Sequence, residues 1–426
     1  MRPPLPDGPY LIIGLARSGA AAARMLLPRG EVIAADSGHP ERPPGVEAHL
    51  GTDGVELLER ARCVVKSPGV PNDAPAIVAA RERGLPLFGE LELAWRLLPN
   101  RFVAVTGTNG KTTTCELLGA VYREAGRPVA VAGNVGTPLS SLVGEVDGET
   151  VIVCEVSSFQ AEDSEAFAPE TALLLNLTED HLDRHGSFGA YREAKLRLFA
   201  NQTAGQAAVA PPGFELPGAG RRVTFGGPDC DLWLRDGVLG WGEHALMPAG
   251  ELRLRGAHNL ENGMGAAAAA LSDGVSREAV RGALRTFAGV PHRLEEVGTV
   301  GGVLYVNDSK ATNVASAARG IEAFDGVHAI LGGSLKGGGF EGLRGPVASR
   351  CRACYLIGQA AERLERDLAG TVPLRRCGDL ERAIRAASAA AAPGEVVLLS
   401  PACASFDQFR DFEERGDRFR ELVRKA

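Results

Sequence analysis

Repeatedly along this chain a short, unbroken apolar run ends in a cluster of small or polar residues and then passes into helical text. YLIIG leads into LARSG, FVAV into TGTNGKT, VIVC into EVSS, LLLNL into TEDH, VLYV into NDSKATN, AIL into GGSLKGG and VVLL into SPACAS. Strands that are apolar at every position, and not at alternate ones, are covered on both faces, as in parallel sheets with helices above and below. Such sheets bind ligands beyond the carboxyl ends of their strands. The polar clusters therefore fall where chemistry is expected, although the turns of any α/β protein need the same small residues.

The 426 residues exceed one ordinary core. Breaks at RLLPNRF and FAGVPHRLE divide the chain into expected domains 1–95, 96–288 and 289–426. Within the middle one, DLWLRDGVLGWG reads as two short strands across an Asp-Gly turn. The formal charge of −7 argues against a nucleic-acid binder with a basic surface, so a polyanionic ligand must meet locally concentrated cations. No apolar run reaches the length of a spanning helix, which makes a soluble, cytoplasmic protein without membrane insertion the default expectation. The eight cysteines are scattered and read as reduced. Cys351 and Cys354 form a lone C-x-x-C that lacks the second ligand pair of a zinc site.

The stretch TGTNGKTTT, 106–114, is nearly a phosphate-binding loop. Lys111 and Thr112 follow Gly110, but the usual spacing would put a glycine where Val105 stands. A strand before it, glycines at 107 and 110 and an amphipathic helix after it nevertheless let amide N–H groups converge on an anion at a helix N-terminus. Lys111 would reach terminal phosphates and the Thr112 hydroxyl a magnesium ion; the alternative is a glycine-rich turn with an exposed lysine. A second glycine-rich turn, GLARSG, lies between Gly14 and Gly19 with Asp36 about 20 residues on, the layout of a dinucleotide fold. Ala16 stands at the middle glycine position of that motif, so a plain strand-to-helix turn remains open. Glu155 ends an apolar strand, where a carboxylate needs a cation, and magnesium suits it. Glu179, Asp180, His181, Asp183 and His185 crowd one stretch that is either a ligand cluster or a solvated loop. Arg293, Lys310 and Lys336 supply cations of the kind phosphoryl transfer requires, yet each alone reads equally as a surface residue. Lys195 reads as an exposed helix residue.

Taken together, TGTNGKTT, EVSSFQ, LNLTEDHLDRHGS, YREAKLRLF, GAHNLEN, VPHRLE, NDSKATN and LSPACASFDQF resemble, in order and spacing, the ATP-dependent Mur ligases of bacterial cell-wall synthesis. SPACASFDQFRDFEERGD is most similar to the D-glutamate-adding branch. The resemblance implies a Rossmann-like N-terminal domain that binds a UDP-sugar, a central P-loop ATPase-type domain with a mostly parallel sheet and a C-terminal Rossmann-like α/β domain for the amino acid. The implied activity is D-glutamate addition to UDP-N-acetylmuramoyl-L-alanine through an acyl phosphate, by a monomer with two magnesium ions and a CO₂-derived carbamate on Lys195. Gly107, Thr108, Asn109, Gly110, Lys111, Thr112, Thr113, Asn259, Arg293 and Asp308 would hold ATP. Thr112, Glu155, His181 and carbamylated Lys195 would hold metal. Arg293 and Lys310 would join Lys111, His181 and Lys195 in catalysis.

For the UDP-sugar the resemblance points to Gly14, Leu15, Asp36, Ser37, Ser67, Gly69 and Asn134, with Pro68 nearby. For D-glutamate it points to Thr312, Lys336, Ser405, Phe406 and Phe412, with His292 close by. Ligand sites divided over three domains imply a closing motion. Three rivals compete with this reading: a folylpolyglutamate synthase, whose first module is the nucleotide domain; a nicotinamide-dependent oxidoreductase, suggested by GLARSG; and a P-loop switch that acts through partners. The first leaves residues 1–95 unexplained and the second leaves TGTNGKTT without a task. The third lacks obvious interaction segments.

Overall fold

A computed structural model describes residues 2–335 and 338–425. Its α/β chain forms two compact units: one runs up to Arg253 and includes His258–Phe287, and the other comprises Leu254–Ala257 and the chain from Ala288 onward.

The first unit holds two sheets. One has five strands in the order Glu47–Leu50, Val32–Asp36, Tyr10–Ile13, Cys63–Lys66 and Leu87–Gly89, every neighbouring pair parallel. The first strand in sequence lies in the middle, so successive crossovers run outward on either side of it. The turn after Ile13 therefore opens at the point where the strand order reverses, the crevice such sheets use for ligands.

The second sheet has nine strands. Its parallel part is Leu232–Arg235, Arg221–Gly226, Ala207–Ala210, Thr171–Leu174, Phe102–Thr106, Val151–Glu155 and Val129–Gly133. Beyond Leu232–Arg235 come Val238–Trp241 and His244–Pro248. The expected hairpin across Asp236-Gly237 is present, and the sheet continues into a third strand that the sequence reading did not include. Both faces of the central strands are buried. On one side Phe102, Ile152 and Leu174 share a core with Ile12 and Val65 of the five-stranded sheet. On the other, Val103, Val153 and Leu173 share a core with Leu118 and the alanines at 266–270. Those alanines, all buried on the helix Ala257–Ser272, let that helix approach the sheet closely.

The second unit is one six-stranded sheet in the order Glu295–Val300, Val303–Asn307, Val396–Leu399, Val327–Gly332, Cys351–Ile357 and Leu374–Gly378. It is parallel except for the edge strand Glu295–Val300, which pairs antiparallel with its neighbour. All eight cysteines are free. Among the described residues no helix is long and apolar enough to cross a membrane.

Candidate nucleotide and metal site

The strand Phe102–Thr106 delivers the loop 107–110 to the N-terminus of the helix Lys111–Glu124. Gly110 is left-handed at φ 83°, and a Cβ there would overlap the Asn262 carboxamide; only glycine satisfies both demands. Asn176 braces the other side of the loop. Its carboxamide oxygen accepts from the Asn109 N–H at 2.9 Å, while its amide donates to the Asn109 carbonyl at 3.2 Å. The Thr108 hydroxyl is held by the Thr178 backbone and by Tyr191 Oη at 3.0 Å. Asn262, itself bonded to Asn259 at 3.2 Å, is buried behind the glycine turn. Asn176 and Asn262 were not singled out from sequence. The only available signal for Asn176 was an amide directly after a buried apolar strand.

Lys111 folds back over the loop it follows, donating to the carbonyls of Gly107 at 2.8 Å and Thr108 at 3.0 Å. Next to it, Thr112 Oγ1 donates to Glu155 Oε2 at 2.8 Å, and Asn134 Nδ2 donates to Glu155 Oε1 at 3.1 Å. Glu155 is 3% exposed at the end of its strand. The structure thus joins Asn134, expected beside the sugar, to the carboxylate expected to bind metal. The Glu155 carboxylate and the Thr112 hydroxyl are oxygen donors of the kind a hard cation takes. Among the described residues no group of three or more His, Cys, Asp or Glu side chains is placed to hold a metal.

Lys195 corrects its reading as an exposed residue: it is 2% exposed. Its helix, Phe188–Ala200, is buried along Tyr191, Ala194, Leu198 and Phe199 as well, and the ammonium lies 4.7 Å from the Tyr191 ring centroid. Lys195 Nζ donates at 2.9 Å to the same Gly107 carbonyl that Lys111 uses. Burial, with the neighbouring Lys111 charge, pushes the Lys195 amine down to about 7. His181 takes the left-handed conformation at φ 51°, is half exposed, and lies 5.0 Å from the Phe159 ring. His185 is turned inward to Ser158 Oγ at 3.0 Å, and its burial lowers its proton affinity.

At the reversal point of the first sheet, Gly14 (φ 90°) packs against Ser67 and Val70 so closely that a Cβ would overlap both. Gly19 likewise has no room for a Cβ beside the Gly14 carbonyl. Ala16 is exposed, so its methyl does not obstruct this packing. Asp36 is committed to backbone, accepting from the Leu15 N–H at 2.6 Å and the Gly38 N–H at 2.7 Å. It therefore holds the Gly14–Leu15 turn against Ser37 and Gly38. Ser67 is buried after the Cys63–Lys66 strand, whereas Gly69 is exposed.

The second unit gathers its own cluster. His292 is buried at φ 63°; its Nδ1 meets Asn307 Nδ2 at 3.0 Å, and its ring stands edge-on to Phe412 at 6.2 Å. Lys310 Nζ lies 4.1 Å from the Phe412 ring centroid, and its N–H donates to the His292 carbonyl at 3.0 Å. Thr312 N–H donates to the Lys310 carbonyl at 2.8 Å, and Arg293 N–H to the Val290 carbonyl at 3.1 Å. Asp308 points inward, accepting from Ser400 Oγ at 2.8 Å and the Leu294 N–H at 3.3 Å; burial pushes its carboxyl up to about 7. Ser405 is buried and Phe406 is 72% exposed. Lys336 lies outside the described residues.

The sequence reading also passed over Arg415 in FEERGD, the residue that ties these loops together. Fully buried, it donates to Ser309 Oγ at 2.9 Å and to the carbonyls of Ser309 at 2.8 Å and Cys403 at 3.1 Å. Arg415→Met leaves these acceptors unsatisfied, so it is expected to destabilise the second unit by about 3 kcal/mol. Denaturant unfolding of the variant beside the parent measures this.

The Mur ligase middle domain family matches residues 105–213, and the Mur ligase glutamate ligase domain family matches residues 292–403. A UDP-N-acetylmuramoylalanine–D-glutamate ligase from Acidobacterium capsulatum is 42% identical over 97% of this chain and 95% of its own length. This chain belongs to the Mur ligase family. The ligase of the same name from Pelotomaculum thermopropionicum is 41% identical over 97% of this chain and 96% of its own. Among solved structures, the UDP-N-acetylmuramate-alanine ligase of Thermotoga maritima superposes with a TM-score of 0.60 at 19% identity, over 98% of this chain and 100% of its own. A MurF ligase from Thermotoga maritima in complex with ADP gives 0.60 at 18% identity, over 93% and 96%. At that identity the two structures attest the Mur ligase fold alone.

Proposed function

We propose that this chain joins D-glutamate to the L-alanine carboxylate of UDP-N-acetylmuramoyl-L-alanine, consuming ATP and forming ADP and phosphate. The observation that carries the reading is identity of about 40% over 97% of the chain to ligases named for that reaction. A carboxylate oxygen of the L-alanine attacks the γ-phosphorus as the bond to ADP breaks. The D-glutamate amine then attacks the acyl carbon, loses a proton, and phosphate departs as the amide forms.

In this reading Gly107 to Thr113 cradle the phosphates, with Lys111 on the transferred group. Magnesium, held by Thr112, Glu155 and His181, would supply charge neutralisation on the phosphoryl oxygens. Lys195 would add a carbamate ligand. Two features support that role: its amine is pushed down to about 7, so much of it is neutral and able to add CO₂, and it shares the Gly107 carbonyl with the Lys111 ammonium. Turning one of two facing cations into an anion replaces repulsion with attraction. Asn259 and Asp308 would attend the nucleoside, and Arg293 and Lys310 would steady the γ-phosphate or acyl phosphate.

The Rossmann-like first sheet would take the UDP-sugar at Gly14, Leu15, Asp36, Ser37, Ser67 and Gly69, with Asn134 beside it. A second Rossmann-like domain would take D-glutamate at Thr312, Lys336, Ser405, Phe406 and Phe412. A substrate with two carboxylates calls for a lysine and hydroxyl donors. Lys336→Ala is accordingly expected to raise the D-glutamate KM at least about tenfold while the ATP KM stays within about twofold. Equal shifts in both constants would refute that division.

The whole reading is tested by incubating the chain with ATP, magnesium and UDP-N-acetylmuramoyl-L-alanine, and comparing phosphate release with D-glutamate, L-glutamate, L-lysine or no amino acid. Release that depends on D-glutamate is expected. Release that is indifferent to the amino acid, or absent, would overturn it.

A further inference from the structure

Between the five-stranded sheet and the nine-stranded sheet of the first unit lies a network of charges that the mechanism above does not use. Lys66, the last residue of the strand Cys63–Lys66, is fully buried and places Nζ 2.9 and 2.6 Å from the two carboxylate oxygens of Asp163. Glu162, beside Asp163 at the end of the helix Ser158–Glu162, reaches four residues at once. Its Oε1 is 3.6 Å from Lys66 Nζ, accepts from Asn72 Nδ2 at 3.0 Å and is 3.7 Å from Arg184; its Oε2 is 3.6 Å from His185 Nδ1. Arg184 completes the bridge. Its guanidinium lies 4.6 Å from the Phe159 ring centroid and donates to three successive carbonyls, Pro68 at 3.3 Å, Gly69 at 3.4 Å and Val70 at 2.7 Å.

The two ends of this bridge matter. Residues 67–70 follow the carboxyl end of a strand at the reversal point of the first sheet, where its ligand crevice opens. Arg184 belongs to the short turn that begins at His181, and its own N–H donates to the His181 carbonyl at 3.1 Å. A planar guanidinium gripping three carbonyls fixes both the distance and the orientation of that backbone, which a lysine cannot do. Burial of Lys66 against Asp163 keeps the strand end from sliding under it, because separating the pair would strand a charge in the interior.

We infer that Arg184 is a positioning residue for the first chemical step, setting the loop 67–70 against the turn that carries His181 so that the bound sugar peptide presents its carboxylate at the phosphate loop. The inference rests on the proposed reaction, and names a group that the reading above assigns to neither ATP nor metal. Its effect must therefore appear in the sugar-peptide constants and in kcat, and not in nucleotide binding.

The test compares the parent with Arg184→Lys and Arg184→Met. The parent is first shown to release phosphate only with D-glutamate; failure there would sink the proposed reaction and this inference with it, whereas a parent that passes leaves the inference alone to be decided by the variants. Calorimetric binding of UDP-N-acetylmuramoyl-L-alanine without ATP is then measured, together with the KM for each substrate and the melting temperature. Arg184→Met is expected to weaken sugar-peptide binding by about 10- to 100-fold and to lower kcat, with the ATP KM within about twofold. Arg184→Lys should recover part of the loss, since one ammonium can still hold one carbonyl. If the methionine variant does not fold, the lysine variant alone carries the test through the same split. Equal losses for ATP and sugar peptide, or a lower melting temperature with unchanged constants, would overturn the inference.

Discussion

Lys111→Met is expected to lower kcat by about 10³-fold with little change in melting temperature. The ammonium lies over the turn between Gly107 and Gly110, bonded to the carbonyls of Gly107 and Thr108, at the positive end of the helix Lys111–Glu124. A γ-phosphate arriving there would draw Nζ off those two carbonyls, so the charge would be felt most as phosphoryl oxygens separate from ADP. Methionine keeps the length of the chain and its apolar stem but removes the charge. The loop itself is held by the glycine conformation at 110, by Asn176 and by Thr108, none of which needs the lysine. Steady-state rates with saturating substrates, read beside a thermal melt, check both halves of this expectation. A melt that falls along with the rate would mean that the lysine is a structural strut.

Lys195→Met is expected to abolish turnover and to stabilise the protein, raising the melting temperature by about 2–4 °C in CO₂-depleted buffer near pH 7. A side chain 2% exposed, whose amine is pushed from 10.5 down to about 7, carries a standing cost that methionine does not. The sign follows from proton counts. Between about 7 and 10.5 the folded chain holds this amine neutral while the unfolded chain holds it protonated, so the unfolded state binds more protons. The contribution to stability therefore rises with pH across that window, and below about 7 the full penalty remains. The methionine variant should lose this slope. Bicarbonate should raise the stability and rate of the parent and leave the variant unmoved. A variant less stable than its parent at every pH would contradict the account.

Much of the architecture was legible because parallel strands buried on both faces must be apolar at every position, and the runs YLII, FVAV, VIVC and VVLL all lie within strands of the three sheets. Glu155 was legible for the converse reason, since a carboxylate at the end of such a run has to meet a partner. Lys195 was not. Its burial comes from Tyr191 one turn earlier and from the loop carbonyl of Gly107, contacts separated by up to 88 residues that no local pattern encodes. The same holds for Asn176 and Arg415, polar side chains whose work is to satisfy backbone groups of loops distant in sequence. The strand His244–Pro248 escaped because its pairing with Val238–Trp241 shifts register at Leu239/Gly240, which breaks the alternation expected of a simple hairpin. Asn134 was placed by resemblance beside the sugar; its bond to Glu155 became evident only once Val129–Gly133 was seen paired with Val151–Glu155.

The central claim is that ATP is spent on activating a carboxylate. It is tested most directly by labelling both oxygens of the L-alanine carboxylate of UDP-N-acetylmuramoyl-L-alanine with ¹⁸O and analysing the phosphate released during one turnover with D-glutamate. Attack of that carboxylate on the γ-phosphorus predicts one labelled oxygen in each phosphate formed. Phosphate free of label, with amide product still accumulating, would contradict it.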